Sequence, residues 1–205
     1  MPPRLALALV TLTLCAVAAV AGVSLAERGR DDPGLALGPD GFAGAVRPAG
    51  ARVPDVVLRD QDGRPVRMSG LGGRPAVVTF VYSTCEDTCP AQVQAVRSGL
   101  DRLGRDVPVL AVSVDPANDT PARARRFLNE QRMTGRARFL LGTKTQLAPV
   151  WRAFAVAPQR GELDHSAYTV LVDARGAQRV AFPFRQLTPE GLAHDIARLD
   201  GSSGS

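Results

Sequence analysis

Apolar positions along the chain fall into short runs that switch between two rhythms. Val56–Arg59 and Pro65–Met68 flank the turn Asp60-Gln61-Asp62-Gly63, the pattern of a small hairpin. Ala76–Tyr82 is a continuous apolar, β-branched and aromatic run, as a strand covered on both faces requires. Val93, Val96, Leu100 and Leu103 then recur at helical spacing behind Pro90. Val107–Val114 predicts a second buried strand. Thr120-Pro121 supplies a cap and first residue for a helix carrying Ala124, Phe127 and Leu128. Ala137–Leu141 predicts a strand, and Leu147, Val150, Trp151 and Phe154 mark a helix stripe. Tyr168–Asp173 and Gln178–Phe182 form a hairpin pattern around Asp173-Ala174-Arg175-Gly176. Thr188-Pro189 opens a last helix whose buried side is Leu192, Ile196 and Leu199.

Strands alternating with helices, closed by a hairpin and a final helix, predict an α/β layered sheet. The order fits a thioredoxin-like fold with insertions. Ahead of it, Leu5 to Ala26 is a run of 22 uncharged residues between Arg4 and Glu27, long enough to cross a bilayer and longer than the apolar part of a cleavable signal. The small residues at Ser24 and Ala26 leave cleavage open, and bulky Leu14 argues against lipid attachment at Cys15. The chain thus divides into an N-terminal membrane helix or signal (1–26), a Gly-, Pro-, Asp- and Arg-rich tether (27–50), one domain (51–200) and a disordered tail (201–205). A tether of this composition reaches about 25–30 Å. The expected location is the cell membrane, by a single N-terminal pass, with the domain on the extracytoplasmic side.

Composition changes this picture little. Hydrophobic residues are 45% and charged residues 22% of the 205, ordinary for a globular chain. The net charge of +5 comes almost wholly from scattered arginines, with Lys144 the sole lysine. Without a basic run or a reading motif, nucleic-acid binding is excluded as the preferred reading.

The chemistry concentrates in Ser83-Thr84-Cys85-Glu86-Asp87-Thr88-Cys89-Pro90, between a buried strand and a helix start, where ligands bind in open α/β sheets. Thiols there gain thiolate character from the helix N-terminus, and thiolates select Cu(I). Zinc fits the ligand types, although a structural zinc site takes four ligands and only three strong ones are found. The spacing alone leaves open a redox dithiol, which more commonly has a two-residue gap, and a short structural disulfide of little entropic value. Peroxidase cysteines carry Thr or Ser three positions earlier, a pattern that Tyr82 and Glu86 do not supply. Of the two histidines, His194 lies opposite the apolar stripe of the last helix and is expected to face solvent. His165 stands just before the terminal hairpin, a loop that lies beside the cysteine loop in thioredoxin-like folds, with Asp164 able to orient its ring.

Together these residues resemble the Sco/SenC copper-binding proteins of cytochrome oxidase assembly. The resemblance covers about Val53 to Leu199. It rests on Phe80-Val81-Tyr82 leading into Cys85-x-x-x-Cys89-Pro90, on Val112-Ser113-Val114-Asp115-Pro116-Ala117-Asn118-Asp119-Thr120-Pro121, and on Asp164-His165-Ser166. It implies that Cys85, Cys89 and His165 are copper ligands and that no small substrate is turned over. The implied function is delivery of copper to the binuclear site of cytochrome c oxidase subunit II. The alternative is a thiol:disulfide reductase that keeps the cysteines of that site reduced. Other copper carriers or thiol-disulfide reductases are further expected partners. Asp115 and Asp119 match the family's aspartate signature, and Asp119 is expected to serve helix capping. Glu86, where relatives often have proline, makes the loop more acidic and is expected to raise the thiol pKa values slightly.

Overall fold

The computed structural model describes residues 35–71, 73–157 and 167–201. The folded body begins at Leu37. Its strands are β1 (Ala45–Val46), β2 (Val57–Arg59), β3 (Pro65–Arg67), β4 (Ala76–Val81), β5 (Val109–Ser113), β6 (Ala137–Leu140), β7 (Tyr168–Val172) and β8 (Gln178–Pro183). Its helices are α1 (Thr88–Leu103), α2 (Pro121–Glu130), α3 (Lys144–Phe154) and α4 (Pro189–Gly201), with a short 3-10 turn at Phe184–Gln186.

Six strands form one sheet in the order β1-β8-β7-β4-β5-β6, and β2–β3 is a separate hairpin. Strands β4, β5 and β6 are parallel, joined through α1 and α2. Strand β7 returns antiparallel against β4, and β8 against β7. A sheet covered on both faces needs side chains that are apolar in both directions. All six residues of β4 and all five of β5 are accordingly buried. Val77 and Val81 point into a core shared with α1, α2 and α4, while Val78 and Phe80 point into a second core with α3 and the hairpin. Helices α1 and α4 approach closely at Gly99, where a Cβ would stand 2.7 Å from Leu192.

The pattern-derived elements are present with ends moved by a residue or two. One element was not anticipated: β1 and the turns before it, read from composition as tether, lie in the folded body. Ala45 and Val46 pair with Ala181 and Val180 of β8. The carboxylate of Asp195 on α4, fully buried, accepts the amides of Ala43 (2.9 Å) and Gly44 (3.0 Å), and Arg198 lies over the Phe42 ring. A side chain at Gly44 would collide with Val180 at 2.5 Å. No helix among the described residues is long and apolar enough to cross a membrane. Residues 5–26, where the membrane helix is expected, lie outside them.

Candidate metal centre

The cysteine loop leaves β4 at its carboxyl end and runs straight into α1. The Tyr82 carbonyl accepts the Cys85 amide. At the start of α1 the amide of Cys89 donates to Cys85 Sγ at 3.2 Å. A helix start has amides without intrahelical partners, and Cys85 uses this: its sulfur does what a capping oxygen does, while Asp87 makes no side-chain cap. Cys85 is 8% exposed and Cys89 fully buried, and no disulfide joins them.

Their environments push the two thiols apart. A hydrogen bond from the Cys89 thiol, the amides of Cys89 and Asp87, and the Tyr82 hydroxyl bring Cys85 down to about 5, against the opposing effect of burial. Cys89 moves up, since its proton is held by the Cys85 sulfur and burial disfavours its charge. Tyr82 also moves up, through burial and its bond to Cys85. The expected slight rise of both thiols is therefore corrected for Cys85. Glu86 and Asp87 are exposed, and donors aimed at the sulfur decide the outcome.

Asp119 is placed differently from its expected role. The cap of α2 is Thr120, whose hydroxyl accepts the Arg123 amide at 3.3 Å. The nearly buried Asp119 carboxylate accepts instead from the Ser83 amide (2.7 Å), the Ser83 hydroxyl (2.6 Å) and the Ser113 hydroxyl (2.5 Å). It thereby ties the cysteine loop to the end of β5, and Trp151 Nε1 donates to the Ser113 carbonyl from the opposite face. Burial raises its carboxyl above the ordinary range despite these bonds. Asp115 holds the turn itself, with the amides of Asn118 and Asp119 on its carbonyl and the Asn118 side chain on its carboxylate.

Below the cysteines, Gln92 is a residue that sequence reasoning missed. It is fully buried one turn after Cys89, and its amide nitrogen donates to Thr79 Oγ1 (2.6 Å), the Tyr168 carbonyl (2.9 Å) and Thr169 Oγ1 (3.1 Å). It pins α1 to both central strands. A polar residue at a core position of the helix stripe is the signal that could have found it. His194, expected in solvent, is half-buried and its Nδ1 lies 2.8 Å from Asp195. It braces the N-terminal clamp and sits far along the chain from the thiols.

Two of the three expected ligands are thus brought together. His165 and Asp164 lie outside the described residues. Among the described residues, no group of three His, Cys, Asp or Glu side chains could hold a metal ion. A cleft of about 420 Å³ opens beside Cys85, walled by Pro90, Arg126 and Phe127. The donor set fits a soft monovalent metal: one ready thiolate, one thiol beside it, and low exposure that limits competition from water.

The SCO1/SenC family profile matches residues 47–200. The chain belongs to the SCO1/SenC family. Within that family it is 33% identical over 135 residues to Protein SenC of Rhodobacter capsulatus, a match spanning 60% of this chain and 59% of that one. The chain spans about 59–64% of the length of the first curated relatives it matches. Among solved structures it is similar to Bradyrhizobium japonicum ScoI with copper bound, at 28% identity and a TM-score of 0.59, covering 76% of this chain and 98% of that one. A SCO1/SenC family lipoprotein of Bacillus anthracis shares the fold at TM-score 0.67 and 22% identity, covering 76% and 99%. The architecture is the thioredoxin-like α/β fold of this family.

Proposed function

We propose that this SCO1/SenC protein is a copper chaperone that holds one copper ion through Cys85, Cys89 and His165 and passes it to the binuclear copper site of cytochrome c oxidase subunit II. The observation that carries the reading is the pair of thiols at the start of α1, with the Cys85 sulfur accepting the Cys89 amide at 3.2 Å beside an open cleft; the same donors bring Cys85 down and leave Cys89 raised. Cys85 offers a thiolate at neutral pH without an external base. Copper entering the pair displaces the Cys89 proton, so loading releases acid. A two-sulfur, one-imidazole site leaves room for an incoming thiolate of the acceptor, and transfer proceeds by stepwise ligand exchange. The copper is cargo, and no small molecule is turned over.

In this reading residues 1–26 tether the domain to the membrane on the extracytoplasmic side, and the segment after Glu27 lets it reach a neighbouring membrane protein. The copper-bound relative of Bradyrhizobium japonicum supports the metal. The lipoprotein relative of Bacillus anthracis supports attachment at a membrane.

The test is copper stoichiometry and absorption spectroscopy on the full chain in detergent, compared with Cys85→Ser, Cys89→Ser and His165→Ala. The expected result is one copper per chain, lost in each variant, with a thiolate-to-Cu(II) charge-transfer band after oxidation. If the chain retains no copper while Cys85 exchanges rapidly with test disulfides regardless of His165, the chaperone reading fails and the dithiol reductase takes its place.

A further inference from the structure

The three parallel strands have a second end, opposite the cysteines. There the segments entering β4, β5 and β6 enclose a cleft of about 430 Å³, within the size range of small-molecule sites. Four arginines line it, Arg67, Arg74, Arg136 and Arg138, against one acid, Asp106. Arg136 is committed, to Asp106 at 2.8 Å and Asp101 at 2.7 Å. Arg67 shares its charge with Asp55. The side chains of Arg74 and Arg138 make no hydrogen bond or ion pair with any described residue, and Arg138 joins β6 to β5 through its backbone alone. The remaining wall is largely apolar, including Leu71, Val107 and Leu110. In the cleft beside Cys85 the balance differs: Arg123 and Arg126 share it with Glu86 and Glu130, and Arg123 donates to the Asn118 carbonyl.

A cleft with an excess of one sign of charge focuses potential and concentrates counter-ions. Guanidinium forks stay charged at any working pH and match the oxygens of phosphate two at a time. We propose that this cleft binds the phosphate group of an anionic ligand, gripped by Arg74 and Arg138, with the apolar wall receiving the carbon body. The phosphate belongs either to a free solute or to the headgroup of an anionic phospholipid. The site is at the other end of the sheet from Cys85 and Cys89, so its occupancy leaves the thiols open. It stands whether or not the protein handles copper.

The test is a titration of the full chain in zwitterionic detergent at low salt, followed by amide chemical shifts. The probes are inorganic phosphate and short-chain phosphatidylglycerol, with short-chain phosphatidylcholine as the control. Saturable shifts are expected at Arg74, Gly135 and Arg138, absent with the control and weakened by added salt. The double variant Arg74→Gln/Arg138→Gln should bind about tenfold more weakly, having lost two charge-assisted contacts. Arg138→Gln alone should show part of that loss, should the double variant fold poorly. Saturation by inorganic phosphate identifies a free solute, and saturation by the lipid alone identifies the headgroup. No saturable shift with either probe, or equal affinity in the variants, overturns the proposal.

Discussion

Two places in this molecule solve the same local problem with different atoms. At the start of α1, the sulfur of Cys85 gathers the amide of Cys89 and a thiol and a hydroxyl around it. On α4, the carboxylate of Asp195 gathers the amides of Ala43 and Gly44 and the ring of His194. Each is an acceptor that satisfies buried or part-buried donors. The carboxylate is fully buried and every neighbour it has is fixed, so it can only brace. The sulfur keeps 8% of its residue's surface open beside a cleft and remains a soft, ionisable ligand. A reactive centre differs from a brace here in access and in the chemistry of the acceptor, not in the pattern of its bonds.

The sharpest way to break this comparison is to remove the brace. Asp195→Ala leaves two part-buried amides without their acceptor, each loss costing about 1–2 kcal/mol. We expect a total loss of about 3 kcal/mol in chemical denaturation, with β1 released from β8. The rate of Cys85 alkylation in the folded protein should stay unchanged. A variant that keeps its stability would show that the segment 37–50 is held by β1 pairing alone.

How much of this was readable beforehand follows from the same contrast. The cysteine turn was legible because thiols at a strand-to-helix junction are rare residues in a telling place, and the buried strands were legible because both their faces are apolar. The clamp was not, since Asp195 sits beside His194 on a helix face that reads as polar, and its partners lie 152 and 151 positions away. Residues 37–50 carry Gly and Pro in the proportion of a tether, and nothing local reveals that Gly44 is needed for close approach to Val180. The role of Asp119 is hidden for a related reason: next to Thr120-Pro121 a cap is the local explanation, while its actual partners, Ser83 and Ser113, come from two different strands' ends. Gln92 is hidden in the same way, its partners lying 13, 76 and 77 positions away.

A second test titrates the sulfur. With Cys85 brought down to about 5 and Cys89 raised, alkylation of the folded, metal-free protein should rise with pH around a midpoint near 5 and then level off. The modification should map to Cys85. An ordinary thiol gives a midpoint near 8.5, and such a result would remove the asymmetry on which the comparison rests.

Gln92 sharpens the comparison by a smaller amount. Gln92→Leu removes the donor to the Tyr168 carbonyl, which costs about 1–2 kcal/mol. The Gln92 side-chain oxygen has no hydrogen-bond partner among the described residues, so losing it returns part of that cost. Thr79 and Thr169 still bond each other at 3.1 Å. We expect a net loss of about 1 kcal/mol, read by denaturation, with the alkylation midpoint of Cys85 unmoved because its donors belong to the loop itself. A shifted midpoint would mean that the thiolate is set from beneath, by the seating of α1 on β4 and β7.

The smallest effect belongs to a third acceptor of the same kind, a mostly buried carboxylate whose charged partner is exposed. In the β7–β8 turn, Asp173 Oδ1 accepts the amides of Arg175 and Ala177 at 2.9 Å each, and Oδ2 meets Arg179 at 3.1 Å. Burial pulls its carboxyl upward, but the Ala177 amide, Arg179 and the Arg175 amide outweigh it and leave the group below the usual range. A depressed folded-state value means the native protein binds the proton less readily than the unfolded chain. The contribution is therefore complete above the unfolded value near 4 and is lost as pH falls through the folded one. Asp173→Asn keeps an oxygen for the two amides and loses only the charge. With Arg179 well exposed to solvent, the neutral-pH cost should be about 0.5–1 kcal/mol. The gap between parent and variant in denaturation should close once the pH has fallen through the depressed folded-state value, below the ordinary aspartate range. A gap that persists there would assign the loss to the geometry of the turn, making Asp173 a brace in the manner of Asp195 with no charge contribution of its own.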